Sequence, residues 1–505
     1  MLDPYEIINR HIEAIGGWEY LNRRNSLHAI GTIDYVGAGL SGKYQEWKAF
    51  SEDTCFFKTD KNLGVFSETI NYDGSSVWKK DNHGKVTNIS SEDLLTELIV
   101  KRLTEKYAFA NRESKQFKLS AKRNKQEYIV TVQNVYNKHV LKYYFNRSTL
   151  LINKRIDLKT DQTEIRLYND YRCFDRTMLP FEIIVELPEN QETQHIKIDR
   201  YEARILPALV FQAPHEDTTN VQFSEDMPST SIPFDCLHDL IYLSVFINGR
   251  KGTFIVDSAA GKSVLDTRFA LELGLEQFGS LNAHGAGSAS AAISFAQCET
   301  IEIENLKLID QTVVVLDFTG LFASKNGIEV SGLLGFDFLS RVITRIDFVK
   351  SQIVFYNPKY FIYKGSGSVI PAYLVDNVFK IPVVVDQIYS GFWRVDTGAK
   401  ISCFHYPFAK KNKFARREGL ENIGEGIGGK YKSKRSQFME LEIGGFKLQD
   451  PVIKFPLEPM KGAFGAKSII GNLGLDMLRH FIVLLNYRDN CIILEKMEGK
   501  QYETS

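Results

Sequence analysis

One spacing limits what the second half of this chain can fold into: a set of landmarks recurs after 139 residues. The first copy holds Gly252-Thr253-Phe254-Ile255-Val256-Asp257-Ser258-Ala259-Ala260, and the second holds Phe392-Trp393-Arg394-Val395-Asp396-Thr397-Gly398-Ala399. Each reads as an apolar strand running into an aspartate and a turn. Gly285 and Gly287 lie 28 and 30 residues after Asp257, and Gly424 and Gly426 lie 28 and 30 after Asp396. Gly332-Leu333-Leu334-Gly335-Phe336-Asp337-Phe338-Leu339 then matches Gly471-Asn472-Leu473-Gly474-Leu475-Asp476-Met477-Leu478. Arg345-Ile346-Asp347-Phe348 and Leu484-Leu485-Asn486-Tyr487 close the series, still without a gap. A long, gapless period is an internal duplication. Two copies of one unit must form, each placing an aspartate alike.

Apolar strand, Asp-Thr/Ser-Gly turn, glycine-tipped hairpin and Gly-x-Leu-Gly-x-Asp-x-Leu together resemble the bacterial retropepsin-like aspartyl proteases, over about residues 231–496. The resemblance implies that each lobe is a small closed β-fold supplying one aspartate, with the active site where two lobes meet. Both lobes would sit in one chain, a pepsin-like arrangement of retropepsin-sized halves, so that a monomer suffices for a complete acid pair. It further implies that Ser258 and Thr397 carry hydroxyls tying the two active loops together. Gly335 and Gly474 would support those loops from beneath, with Leu334 and Leu473 packing there. The hairpins at Gly285-Ala286-Gly287 and Gly424-Glu425-Gly426 would be flaps closing on an extended peptide, their backbone groups free to pair with it as a strand.

The residue types suit amide hydrolysis, which needs an activated water and a proton donor for the leaving nitrogen. Two carboxyls a few ångströms apart cannot both ionise easily, so one keeps a proton while the other acts as base. Asp257 and Asp396 are the candidates. Gly398 permits close backbone approach that a Cβ would crowd. The first copy departs from the pattern with Ala259 at the third position, where a methyl could displace the loop. Arg394, two residues before Asp396, is expected at the surface; on the same strand face it would instead bias the pair towards ionisation. His284 beside the first flap reads as a surface or hydrogen-bonded residue.

The first 205 residues read differently. Asp3-Pro4 is an N-cap and first-turn pair, and Tyr5, Ile8, Ile12 and Ile15 follow at helical spacing up to Gly16-Gly17. Strands are expected at 27–36, 43–50, 65–72, 128–135, 139–145, 164–171, 181–187 and 195–201, with one helix at 91–111. The opening Ile-Glu-Ala-Ile-Gly-Gly-Trp-Glu-Tyr-Leu and the later Ser-Leu-His-Ala-Ile-Gly-Thr-Ile resemble lipoprotein-carrier (LolA/LolB-like) domains. That implies a half-barrel around a cavity for a hydrophobic ligand. Trp18, Trp47 and Trp78 could line it, although large aromatics in a curved sheet are usually core.

The expected fold is therefore mainly β: tandem acid-protease β-barrel lobes after an N-terminal α+β domain with a curved antiparallel sheet. Residues 1–205 form that first domain, 206–232 a linker, 233–358 lobe 1, 359–497 lobe 2 and 498–505 a polar tail. Lys+Arg and Asp+Glu are both 62, so no global field recruits nucleic acid. Six scattered cysteines without a Cys-x-x-Cys pair argue against a metal site, and no cofactor is called for. No apolar run is long enough for an integral membrane segment. The expected activity is that of an aspartic endopeptidase acting on a peptide or protein substrate. The alternatives are a peptide-binding pseudoprotease, or a hydrophobic-ligand carrier acting through the N-terminal domain. With Met1 as native start the protein would be cytoplasmic; after removal of a leader, exported.

Overall fold

The computed structural model describes residues 2–23, 25–50, 55–89, 107–136, 138–159, 161–224, 227–237, 239–287, 289–319, 328–497 and 503–504. The chain divides into two compact units, Met1–Glu216 and Asp217–Ser505. Both are mainly β, as the sequence implies.

In the first unit, the Asp3 carboxylate accepts the Tyr5 amide at 3.0 Å and caps the helix Pro4–Ala14. That helix buries Ile7, Ile8 and Ile12 against Phe117, Val130, Val132, Leu141, Phe145 and Ile152 of the sheet. Thirteen strands among the described residues form one antiparallel sheet. Its first strand, Ser26–Tyr35, pairs with Leu40–Phe50 on one side and with the last strand, Glu192–Glu202, on the other. The chain thus builds outward to one edge and returns from the other. All eight expected strands are present with ends shifted by a few residues, and others appear that the pattern hid. In Ile152–Leu158 the hidden strand carries Arg155 and Asp157 at buried positions. Arg155 pairs with Glu164 at 3.1 Å and Asp157 with His139 at 2.5 Å, so charge sits where alternation predicts hydrocarbon. The helix expected at 91–111 lies outside the described residues as far as 106; beyond it comes a short 3₁₀ turn, Ala108–Ala110. Trp47 and Trp78 are half-buried and Trp18 more exposed, and His28 stacks on Trp47.

The stretch 206–232 is divided between the units. Phe211 is buried in the first, where the Asn71 side chain donates to the carbonyls of Phe211 and Gln212, both at 2.8 Å. Val221–Phe223 and Ser229–Pro233 pair as strands in the second. Of the tail 498–505, only Glu503–Thr504 is described, as a strand against Phe446–Lys447.

The second unit holds two sheets built on one plan, with a third between them. In the first copy, Arg250–Val256 runs parallel to Gly332–Leu334, which is antiparallel to Val264–Asp266. In the second copy, Tyr389–Val395, Gly471–Leu473 and Cys403–Phe404 repeat the arrangement. The first glycine of each Gly-x-Leu-Gly makes room for an aromatic ring. A Cβ at Gly332 would lie 2.3 Å from Phe254 Cε1, and one at Gly471 would lie 2.6 Å from Trp393 Cε3. Among the described residues the third sheet has six strands, three from each copy, joined where Ile343–Asp347 pairs with Phe481–Asn486. Its register sets Arg345 opposite Leu484, which are each other's repeat equivalents. A local two-fold axis therefore passes between the copies, and it fixes where their aspartates can meet.

Candidate active site

Each aspartate is held by its own copy before it meets the other. The amide of Asp257 donates to the Leu334 carbonyl, and that of Asp396 to Leu473, both at 3.0 Å. Leu334 and Leu473 are fully buried beneath the turns. Gly335 and Gly474 are needed because a Cβ there would strike the backbone of Ala260 and Lys262, or of Ala399 and Ile401, at under 3.0 Å. A clamp that sequence reasoning missed fixes each turn from below. Asp337 accepts from the Ser263 amide at 2.7 Å and hydroxyl at 2.6 Å, and Ser263 Oγ accepts the Gly335 amide at 3.0 Å. Ser402, Asp476 and Gly474 repeat it at 2.9, 2.7 and 2.9 Å. The signal was available: Ser263 and Ser402 are themselves one repeat apart.

The copies then lock to each other through the residues after the aspartates. Thr397 Oγ1 accepts the Ser258 amide at 2.9 Å and donates to the Val256 carbonyl at 2.8 Å. Ser258 Oγ accepts the Thr397 amide at 3.0 Å and donates to the Val395 carbonyl at 2.8 Å. Both side chains are fully buried, so these four bonds have no competition from water. The Asp257 carboxyl rests against the bare backbone of Gly398, where a Cβ would lie 2.4 Å from Asp257 Cγ. Ala259 is accommodated: its amide donates to Asp257 Oδ1 at 2.9 Å, and the Ala260 amide to the same oxygen at 3.1 Å.

Asp396 is bound differently. Asn472 Nδ2 donates to its Oδ2 at 2.6 Å, and His405 Nε2 lies 2.7 Å from Asn472 Oδ1. Asn472 was not singled out from sequence as a site residue, although it is where polar replaces apolar Leu333 in an otherwise matched motif. Burial and then the Asp396 charge push the Asp257 carboxyl up to about 7, against the pull of the Ala259 and Ala260 amides. Burial raises Asp396 too, opposed by the Asn472 donor, then by the Arg394 charge and the Gly398 and Ala399 amides. Arg394, expected at the surface, is half-buried and close enough for its charge to act on the pair.

The hairpins meet at their tips. In the first, Gln277–His284 pairs with Ser290–Ile303, leaving Gly285, Ala286 and Gly287 in the connection as expected. In the second, pairing continues to Gly426 opposite Gly429, so the turn is Ile427-Gly428, just beyond the expected Gly424-Glu425-Gly426. Gly424 instead lies under the Tyr431 ring, Glu425 is exposed on the strand, and Gly426 faces Ala286. The Gly287 amide donates to the Ile427 carbonyl at 2.7 Å and the Ala289 amide to Gly428 at 2.9 Å. Ala286 packs against a cluster of Cys403, Tyr431, Met460 and Phe464, of which Cys403 and Tyr431 feel the Asp396 charge. This cluster ties the tips to the acid pair.

Comparison with known proteins bears on part of this. A family model described as aspartyl protease matches residues 243–338. No curated protein matches. Among solved structures, the aspartic proteinase from Irpex lacteus is 12% identical, covering 54% of this chain and 98% of its own, with a TM-score of 0.37. A retropepsin-like aspartic protease from Rickettsia conorii is 21% identical, covering 26% of this chain and 91% of its own, with a TM-score of 0.19. A LolA superfamily protein from Nitrosomonas europaea is 11% identical, covering 42% of this chain and 98% of its own, with a TM-score of 0.29.

Proposed function

We propose that residues 217–505 are an aspartic endopeptidase whose acid pair is Asp257 and Asp396. The observation that carries this reading is the set of four buried Ser258–Thr397 bonds, with the Asp257 carboxyl lying on the Gly398 backbone of the opposite loop. Two acids so confined share protons, and a water between them is polarised by both. One carboxylate takes a proton from the water as its oxygen bonds to the scissile carbonyl carbon, and the other acid gives its proton to the carbonyl oxygen. On collapse the C–N bond breaks, the first carboxyl returns the proton to nitrogen, and the second recovers one from the diol. The joined hairpin tips must part to admit an extended peptide, whose backbone then takes up amides such as that of Gly287.

Cleavage of a mixed fluorogenic peptide pool by the full chain tests the reading. Asp257→Asn and Asp396→Asn should each lower turnover by on the order of 10³-fold or more. Either variant cleaving at the unaltered rate would remove that residue from the mechanism. Peptide binding without turnover by the native chain would point instead to a pseudoprotease.

A further inference from the structure

The two acids are not in equivalent surroundings, and the inequality lies in one row of side chains. In the first copy the row across adjacent strands is Tyr242, Ile255 and Leu333. In the second it is Lys380, Arg394 and Asn472. The Asn472 amide presents its Nδ2 to the Asp396 carboxyl and its Oδ1, which can only accept, to His405. The Nε2 of His405 therefore carries the proton and donates to Asn472. His405 is fully buried and Asn472 3% exposed, which holds both against rotation. No such donor reaches Asp257 from Leu333, and the Ala259 and Ala260 amides of its own turn donate to it instead. Among the described residues, ionisable groups around the pair include Arg394, Cys403 and Tyr431 near Asp396, Lys454, Arg435 and Asp476 beside Cys403 or Tyr431, and Tyr487 near Asp257. The cations in this row and around these groups, among the described residues, are Lys380, Arg394, Arg435 and Lys454, and all belong to the second copy.

We propose that Asn472, oriented by His405, is a positioning residue that assigns the two roles: Asp396 is the anion that takes the proton of the attacking water, and Asp257 is the acid that holds the shared proton. This rests on the aspartic-endopeptidase reading. A side-chain donor that strengthens with charge favours the ionised form of the carboxyl it touches, and a leucine offers nothing of the kind. Asn472 thus breaks a symmetry that the fold would otherwise impose.

The decisive variant is Asn472→Leu in the full chain, which gives the second copy the residue of the first. Two readouts are needed: the pH profile of kcat/KM, and the ¹³Cγ titration of aspartate carboxyls, assigned with Asp257→Asn and Asp396→Asn. Losing a hydrogen bond to a charged group should move the acidic limb, and the Asp396 titration, up by about one to two pH units. kcat should fall about tenfold or more while KM stays near its native value. His405→Phe should move both readouts the same way by less, and His405→Gln, which can still donate to Asn472, should restore them. If Asn472→Leu does not fold, the His405 pair carries the test. An unshifted acidic limb and unshifted titration in a folded, active variant would overturn the proposal and leave the endopeptidase reading intact. A native chain that cleaves nothing, yet shows an Asp396 titration that shifts in Asn472→Leu, would overturn the endopeptidase reading instead and confirm that Asn472 makes the acids unequal.

Discussion

Lobe 1 and lobe 2 keep some residues in common and exchange others, and the division is informative. What they share is architecture: Ser263 with Ser402, Asp337 with Asp476, Gly335 with Gly474, and Phe254 or Trp393 over Gly332 or Gly471. What they do not share surrounds the carboxyls: Leu333 against Asn472, Ile255 against Arg394, Ala259 against Gly398. The scaffold is two-fold and the surroundings of the two carboxyls are one-sided. The clamp residues beneath each turn are identical, whereas the residues beside the carboxyls differ.

The widest gap between the lobes should open at the third turn position. In Gly398→Ala the new methyl would sit 2.4 Å from Asp257 Cγ, and that carboxyl must move. A displacement of about 1 Å at a reacting group costs on the order of a hundredfold, so kcat should fall at least that far. Ala259→Gly, which makes the first loop like the second, should change kcat less than about threefold, since that loop already makes its amide bonds. Equal losses in the two variants would show that the loops are interchangeable after all.

Where the lobes are alike, their variants should behave alike. Thr397→Val strands the Ser258 amide and the Val256 carbonyl, and Ser258→Ala strands the Thr397 amide and the Val395 carbonyl. A buried group left unpaired costs roughly 1–3 kcal/mol. Each variant should lower the denaturation midpoint by a comparable amount, and a large inequality would break the reciprocity.

A pH-dependent effect separates the acids. The folded-state pKa of Asp257 is raised from 3.8 to about 7, so the folded protein holds a proton there that the unfolded chain releases. Its contribution to stability is complete below about pH 4 and lost as pH rises through about 7. The native chain should therefore melt lower at pH 8 than at pH 5 relative to Asp257→Asn. A parallel pH dependence in both proteins would place the raised group elsewhere.

The repeat made the second unit legible. Strand, turn and Gly-x-Leu-Gly recur at a fixed offset because each residue answers a local steric demand, such as the ring above Gly332 and Gly471. The aspartates and the Ser258–Thr397 pair were legible for the same reason. The polar row was not, because a repeat reports what two copies share and Asn472 is a difference. Its register is also hidden by spacing: the hairpin before Asp396 leaves three residues between Val385 and Tyr389, whereas the one before Asp257 leaves two between Ile247 and Arg250. In the first unit, strands such as Ile152–Leu158 escaped because ion pairs occupy buried positions. The second hairpin tip moved past Gly426 because pairing persists to Gly429, which glycine count alone does not reveal.

The pairing of Arg345 with Leu484 across the local axis has a consequence for how such a pair of acids can be tuned. Were the two halves separate, identical polypeptides, any substitution beside one carboxyl would appear beside its mate, and neither could be favoured as proton donor. Covalent continuity through residues 357–367, between the strands Gln352–Tyr356 and Ser368–Pro371, lifts that restriction. It lets a single amide be placed next to one aspartate alone, so that direction in a proton relay becomes heritable.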